Sequence, residues 1–93
     1  MYWFIAEKIE QKRRHYPSVA ALVRDIAVEK LGVEEEEVFS QAHWLNDLGC
    51  DSLDTVELTM CFEAMFNIQI PNEVAEHLET VGDVVNYIER NAR

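Results

Sequence analysis

Apolar positions recur at helical spacing along the whole chain, and no stretch alternates long enough to demand a strand. The spacing predicts four helices preceded by an N-terminal extra. In the first 16 residues Tyr2, Ile5, Ile9 and Tyr16 fall roughly on one stripe, and Pro17 disfavours helix at Tyr16. The next helix starts near Ser18, a good cap, and runs to Leu31, with Val19, Leu22, Val23, Ile26 and Leu31 facing inward. Gly32 suits the left-handed position that ends helices. A long connection over residues 33–50 follows, pinned to the core by Val33, Val38, Phe39, Trp44, Leu45 and Leu48.

A third helix is predicted from about Ser52 to Met65, with Asp51 as its N-cap. Leu53, Val56, Met60 and Phe66 form its stripe, broadened by Leu58 and Phe62. The segment from Ile68 to Pro71 reads as an extended link. A short helix then holds Val74, Ala75 and Leu78. The last helix begins at Thr80, with Asp83 in the capping-box place and Val81, Val84, Val85, Tyr87 and Ile88 on its apolar side.

With 93 residues, 48% of them hydrophobic, the chain can bury one small core and is not globally disordered. No apolar run reaches the roughly 18 residues of a membrane span. The opening residues, MYWFIAEKIEQKRRHYP, have too short an apolar part for a secretory signal, with the charges on the wrong side of it. They are also too poor in serine and too acidic for a transit peptide. The expected location is therefore cytoplasmic. Cys50 and Cys61 are too few for a four-ligand zinc site and about three helical turns apart, so they read as reduced thiols rather than a disulfide.

Charge sharpens the picture. The net charge of −10 is concentrated between Leu31 and Glu89, a span with fourteen Asp/Glu and no Lys or Arg. Such a surface repels nucleic acid and favours partners with basic patches. The run Glu34–Glu37 lacks the spacing and glycine turn of an EF-hand, and no metal site is expected.

The chemistry centres on Leu48-Gly49-Cys50-Asp51-Ser52-Leu53-Asp54. Ser52 admits three readings. It can simply be the first helical residue behind the Asp51 cap. It can be a hydrolase nucleophile, but His15, His43 and His77 have no spacing that suggests a triad, and the glycines of a nucleophile elbow are missing. It can also be a modification site, since the free N–H groups and positive dipole of a helix mouth favour a phosphodiester.

Residues 48–88 resemble the acyl carrier proteins of type II, dissociated, fatty-acid synthesis. DSLDTVEL, residues 51–58, is similar to their phosphopantetheine-attachment motif, and LGVEEEEV (31–38) and IPNEVAE (70–76) match further landmarks in order. The resemblance spans about residues 18–90. It implies an all-α fold, a small four-helix acyl-carrier bundle with a long first loop, in a domain of residues 18–93 behind an N-terminal extension of residues 1–17.

It further implies that Ser52 carries a covalent 4′-phosphopantetheine arm drawn from coenzyme A, and that the protein is a carrier, not an enzyme. The acyl chain would lie between the helices, with Trp44, Leu45, Leu58, Phe62, Phe66, Ile70, Ala75, Leu78 and Val84 as candidate liners. Asp51, Asp54, Glu57, Glu63 and Glu76 would face the phosphopantetheinyl transferase and the synthesis enzymes. A specialised carrier for polyketide or other lipid-linked acyl supply, or an unmodified accessory binding protein, are the alternatives. Phe62 stands where the family usually has a smaller aliphatic residue, which implies a shorter accommodated chain.

Residues 1–16 fall outside the resemblance. Their apolar start and the basic stretch Lys12-Arg13-Arg14-His15 suggest a helix on the chain's own bundle, a tail, or self-association, the last being the expectation adopted from sequence.

Overall fold

The computed structural model describes residues 18–91, which form four helices and no strand: α1 (Val19–Leu31), α2 (Ser52–Phe66), α3 (Asn72–Ala75) and α4 (Val81–Asn91). The all-α expectation holds. The extra helix read over residues 1–16 lies outside the described residues.

Local chemistry sets the helix ends. The Ser18 side chain accepts from the Ala21 N–H to start α1. Gly32, at φ 71°, ends it by donating its N–H to the Val28 carbonyl. α2 ends the same way at Asn67, φ 55°, a non-glycine residue whose short polar side chain tolerates this conformation. α4 opens with a reciprocal box: the Asp83 N–H donates to Thr80 Oγ1, and Asp83 Oδ2 accepts from the Thr80 and Glu79 N–H groups.

α1 packs against both α2 and α4. Its buried Leu22, Val23, Ile26 and Ala27 meet Leu58, Cys61, Phe62, Met65 and Phe66 of α2, and Val81, Val84 and Ile88 of α4, in one core. The long loop between α1 and α2 closes it with Val38, Ala42, Trp44, Leu48 and Cys50. Four bonds fasten this loop to the start of α4. The Trp44 N–H donates to the Glu79 carbonyl and the Trp44 indole to Thr80, while the N–H groups of Val81 and Gly82 donate to Ala42 and Ser40. Each such bond contributes about 1 kcal/mol, so together they hold the loop against the start of α4.

Three expectations need correction. The stripe of α2 holds only in part: Leu58, Phe62 and Phe66 are buried as expected, but Leu53, Val56 and Met60 are 65%, 53% and 45% exposed. Phe39 and Leu45 do not pin the loop, being exposed themselves, whereas Ala42, too small to stand out in sequence, is fully buried. Leu78 follows α3 rather than belonging to it, because α3 ends at Ala75 after a single turn.

Candidate functional site

Ser52 is the first residue of α2, exposed at the helix mouth. Asp51, in an extended conformation, caps the helix by accepting the Asp54 N–H at 2.9 Å. Asp54 returns the bond, its Oδ2 accepting the Asp51 N–H at 3.2 Å. This closed box engages the first and fourth N–H groups of the mouth and leaves those of Ser52 and Leu53 with no intrahelical acceptor. An oxygen-rich anion on Ser52 would meet those two donors and the positive end of a fifteen-residue helix. The site therefore fits a phosphodiester at Ser52.

Beside Ser52 opens a cavity of about 730 Å³, bounded by α2, the long loop, α3 and the start of α4. That volume lies in the range of small-molecule sites. Of the sequence-predicted liners, Trp44, Leu45, Leu58, Phe62, Ile70, Ala75, Leu78 and Val84 line it together with Ser52. Phe66 does not; it is buried in the core one turn beyond Phe62. Trp44 and Phe62 form an aromatic pair in the wall, ring centroids 6.1 Å apart and tilted by 52°.

Thr55, Val56, Thr59 and Met60 also line the cavity and were not anticipated. The signal for them was present: they sit three, four, seven and eight residues after Ser52, hence on its face of the helix. The two threonine hydroxyls donate back along the helix, Thr55 to the Ser52 carbonyl and Thr59 to the Thr55 carbonyl, each at 2.8 Å.

The expected recognition acids have structural partners. Besides the Asp51–Asp54 box, Glu57 pairs with Lys30 of α1 at 2.9 Å. Glu63 Oε2 accepts the Ile70 N–H at 2.8 Å, holding the link that follows α2. Glu76 is exposed just after α3, on the cavity rim. The Glu57 hydrogen bond raises the Lys30 pKa above its ordinary value, keeping the ammonium charged.

Cys50 and Cys61 are both free and buried. Burial, reinforced by the charges of Asp54 and Asp51, pushes the Cys50 thiol up to about 11, and burial also raises Cys61. Cys50, unexplained from sequence, is thus a small apolar plug in the core, with its N–H donated to the Trp44 carbonyl.

His43 lines the same cavity as Ser52, yet no hydrogen bond joins the two among the described residues. The His43 backbone pairs with Thr80 and donates to Asp47 Oδ2. A serine–histidine nucleophile pair is therefore not assembled. Among the described residues no cluster of His, Cys, Asp or Glu could hold a metal ion, and no helix is long and apolar enough to cross a membrane.

The family model described as "Phosphopantetheine attachment site" matches residues 21–88, from the first turn of α1 to the last of α4. With the helix mouth, the cavity and the loop all inside that span, the chain belongs to the phosphopantetheine-attachment family of carrier proteins, whose members bear a covalent 4′-phosphopantetheine.

Proposed function

We propose that this carrier serves dissociated fatty-acid synthesis, with the prosthetic group on Ser52, acting as a carrier rather than a catalyst. One observation carries the reading: an exposed serine at a helix mouth that suits a phosphodiester stands on the rim of a largely apolar cavity. The arm, when bound, supplies a terminal thiol that holds an acyl chain as a thioester. This chain's own residues anchor and shelter. Ser52 contributes the ester oxygen, and the N–H groups of Ser52 and Leu53 face the phosphate charge. The cavity walls from Leu58, Phe62, Ile70 and Leu78 exclude water from an acyl chain. Burial gains about 0.8 kcal/mol per methylene, enough to hide a medium chain and still release it to an enzyme.

Partner contact follows from the surface around Ser52. Asp51, Asp54, Glu57, Glu63 and Glu76 surround the arm with negative charge, and the exposed Leu53, Val56 and Met60 lie among them. Enzymes with Arg/Lys patches, including the phosphopantetheinyl transferase, are attracted by the charge and gain contact area from the apolar stripe. Exposed charge pairs are individually weak, so such complexes are short-lived and salt-sensitive, as suits a shuttle. The two buried thiols suit a reducing, cytoplasmic compartment.

The test is direct. Incubation with coenzyme A, magnesium and a phosphopantetheinyl transferase should add the mass of one arm, and Ser52→Ala should add none. Mass gain that survives Ser52→Ala refutes the attachment. Elongation of the loaded protein by fatty-acid synthesis enzymes, against no turnover by polyketide ones, supports the pathway; the reverse pattern refutes it.

A further inference from the structure

The wall that α2 gives to the cavity is not uniformly apolar. Leu58 and Phe62 are buried there, but Thr55, Thr59 and Glu63 follow one another a helical turn apart and line the same cavity as a half-buried polar stripe. The hydrogen bonds of this stripe all run one way. Thr55 donates its hydroxyl proton to the Ser52 carbonyl and Thr59 donates its own to the Thr55 carbonyl. Glu63 Oε2 accepts the Ile70 N–H. Each hydroxyl oxygen keeps its lone pairs but has no further proton to offer, and a carboxylate only accepts. The α2 wall thus offers acceptors and no donor.

Thr59 is the threonine deeper in the cavity. It lies two turns past Ser52, about 10 Å along the helix. Residues 55, 56, 62 and 63, one turn to either side of it, all line the cavity. A back-bond of this kind is a common way for a threonine to settle within a helix, and it satisfies the proton alone. The oxygen's remaining capacity is met by water in the open cavity and by nothing apolar that replaces the water.

We propose that Thr59 selects acyl chains bearing a hydroxyl close to the thioester, such as 3-hydroxyacyl groups, by accepting a hydrogen bond from that hydroxyl. The inference rests on the carrier reading and names the cargo class that the cavity prefers. A chain entering from the Ser52 side passes Thr59 before it reaches the Trp44–Phe62 pair, so its carbons nearest the thioester lie alongside the threonine. A saturated chain sets methylenes against the Thr59 oxygen. A 3-oxo chain sets a second acceptor against it. Only the hydroxyl restores the bond that the displaced water made, which is worth about fivefold in the equilibrium between sheltered and exposed chain. Amide N–H groups of the arm are the rival donors, and Thr55, a turn nearer Ser52, is the nearer acceptor for them.

Three thioesters of equal chain length, saturated, 3-oxo and 3-hydroxy, test the selection when loaded on Ser52 by a phosphopantetheinyl transferase from their coenzyme A forms. Hydrolysis of each, relative to its free coenzyme A thioester, is compared in the parent, Thr59→Val and Thr59→Ser. Valine keeps the branched shape without the oxygen, and serine keeps the oxygen without the methyl. The parent should shelter the 3-hydroxy chain better than the 3-oxo chain. Thr59→Val should cut protection of the 3-hydroxy chain about fivefold and leave the other two at or above their parent values, while Thr59→Ser should keep the parent's order. Unchanged protection of the 3-hydroxy chain on Thr59→Val overturns the inference. An equal loss for all three chains makes an arm amide the donor and also overturns it. The same loss on serine as on valine reduces the effect to packing, with the same consequence. Failure of Ser52 to take up any of the three removes the carrier reading itself, and this inference with it.

Discussion

Lys30 and Glu57 join α1 to α2 through an ion pair of 2.9 Å, and the lysine is the more buried partner. The pair spends a carboxylate of the helix that begins at Ser52 on an internal contact. Lys30→Met should lower stability by about 0.5 kcal/mol, as a partly exposed pair does. The folded protein raises the Lys30 pKa, so this contribution is complete below the ordinary lysine value of 10.5 and fades as pH rises through the raised value. Urea midpoints of the two proteins should therefore differ at pH 7 and converge in strong alkali. A difference that grows with alkali would contradict the assignment.

Under the proposed function Asp54 has two separable roles, because its backbone partner needs an acceptor and a basic enzyme needs a charge. Asp54→Ala removes the acceptor for the Asp51 N–H and should destabilise the unmodified protein by about 1 kcal/mol. Asp54→Asn keeps an acceptor and should stay within about 0.5 kcal/mol of the parent by thermal unfolding. Under the proposed function, both should load more slowly with a phosphopantetheinyl transferase. Unequal loading with equal stability would show that the box contributes nothing.

These acids mark the boundary of what the sequence reveals. Helix existence was legible because caps and stops are local: Ser18, Gly32, Asp51 and Thr80 each act on backbone groups within four residues. The inward face of α2 was legible only in part, since Leu58, Phe62 and Phe66 were read inward correctly but Leu53, Val56 and Met60 were read inward with them. The helix carries apolar residues on nearly every side, since one stripe enters the core and another, Leu53–Val56–Met60, is exposed near Ser52. Periodicity cannot choose between two stripes in one helix. Nor could spacing foresee that Glu57 meets Lys30 or that Glu63 meets the Ile70 N–H, because both depend on how segments dock. Most of the cavity wall was legible because pocket and core draw on the same apolar positions; Phe66 was misplaced because only docking decides which turn of α2 faces the opening.

The Cys50 thiol, at about 11 against an ordinary 9.0, stays protonated at neutral pH. Its native thiolate fraction near pH 8 is about one-hundredth that of an ordinary thiol, so native alkylation by iodoacetamide should be slower than in urea by about that factor. A thiol whose folded pKa is raised contributes stability that is present below about pH 9 and lost as pH climbs through 11. Cys50→Ala should therefore flatten the alkaline fall in stability between those values. Rapid modification of Cys50 in the folded protein at pH 8 would contradict its burial.

Gly82 allows the loop to reach α4. A Cβ there would lie 2.5 Å from Ser40 Oγ and 3.0 Å from the Ser40 carbonyl oxygen, which itself accepts the Gly82 N–H at 2.8 Å. The hydroxyl can rotate away, but the carbonyl cannot without loosening the loop. Helix propensity alone would favour alanine by about 1 kcal/mol. The expected net effect of Gly82→Ala is nevertheless destabilising by about 1–2 kcal/mol, read from the urea midpoint. A stabilised variant would mean that the loop yields more easily than its four bonds suggest.

Phe62 narrows the cavity from the α2 side, its ring tilted against that of Trp44. Leucine at this position would remove the aromatic contact and lengthen the space open to an acyl chain. The substitution should destabilise the unloaded protein by about 1 kcal/mol, since Phe62 is almost fully buried. Under the proposed function, the loaded variant gains what the empty one loses. Each additional methylene sheltered is worth about 0.8 kcal/mol, or nearly fourfold in the equilibrium between sheltered and exposed chain. Thioesters loaded on both proteins across a series of chain lengths should show the effect as hydrolysis half-lives. Short chains should be protected equally, and chains beyond the parent's limit should last longer on Phe62→Leu. Matching half-lives at every length would remove Phe62 as the residue that sets the limit and shift attention to the opposite wall, where Leu78 and Val84 face the same cavity.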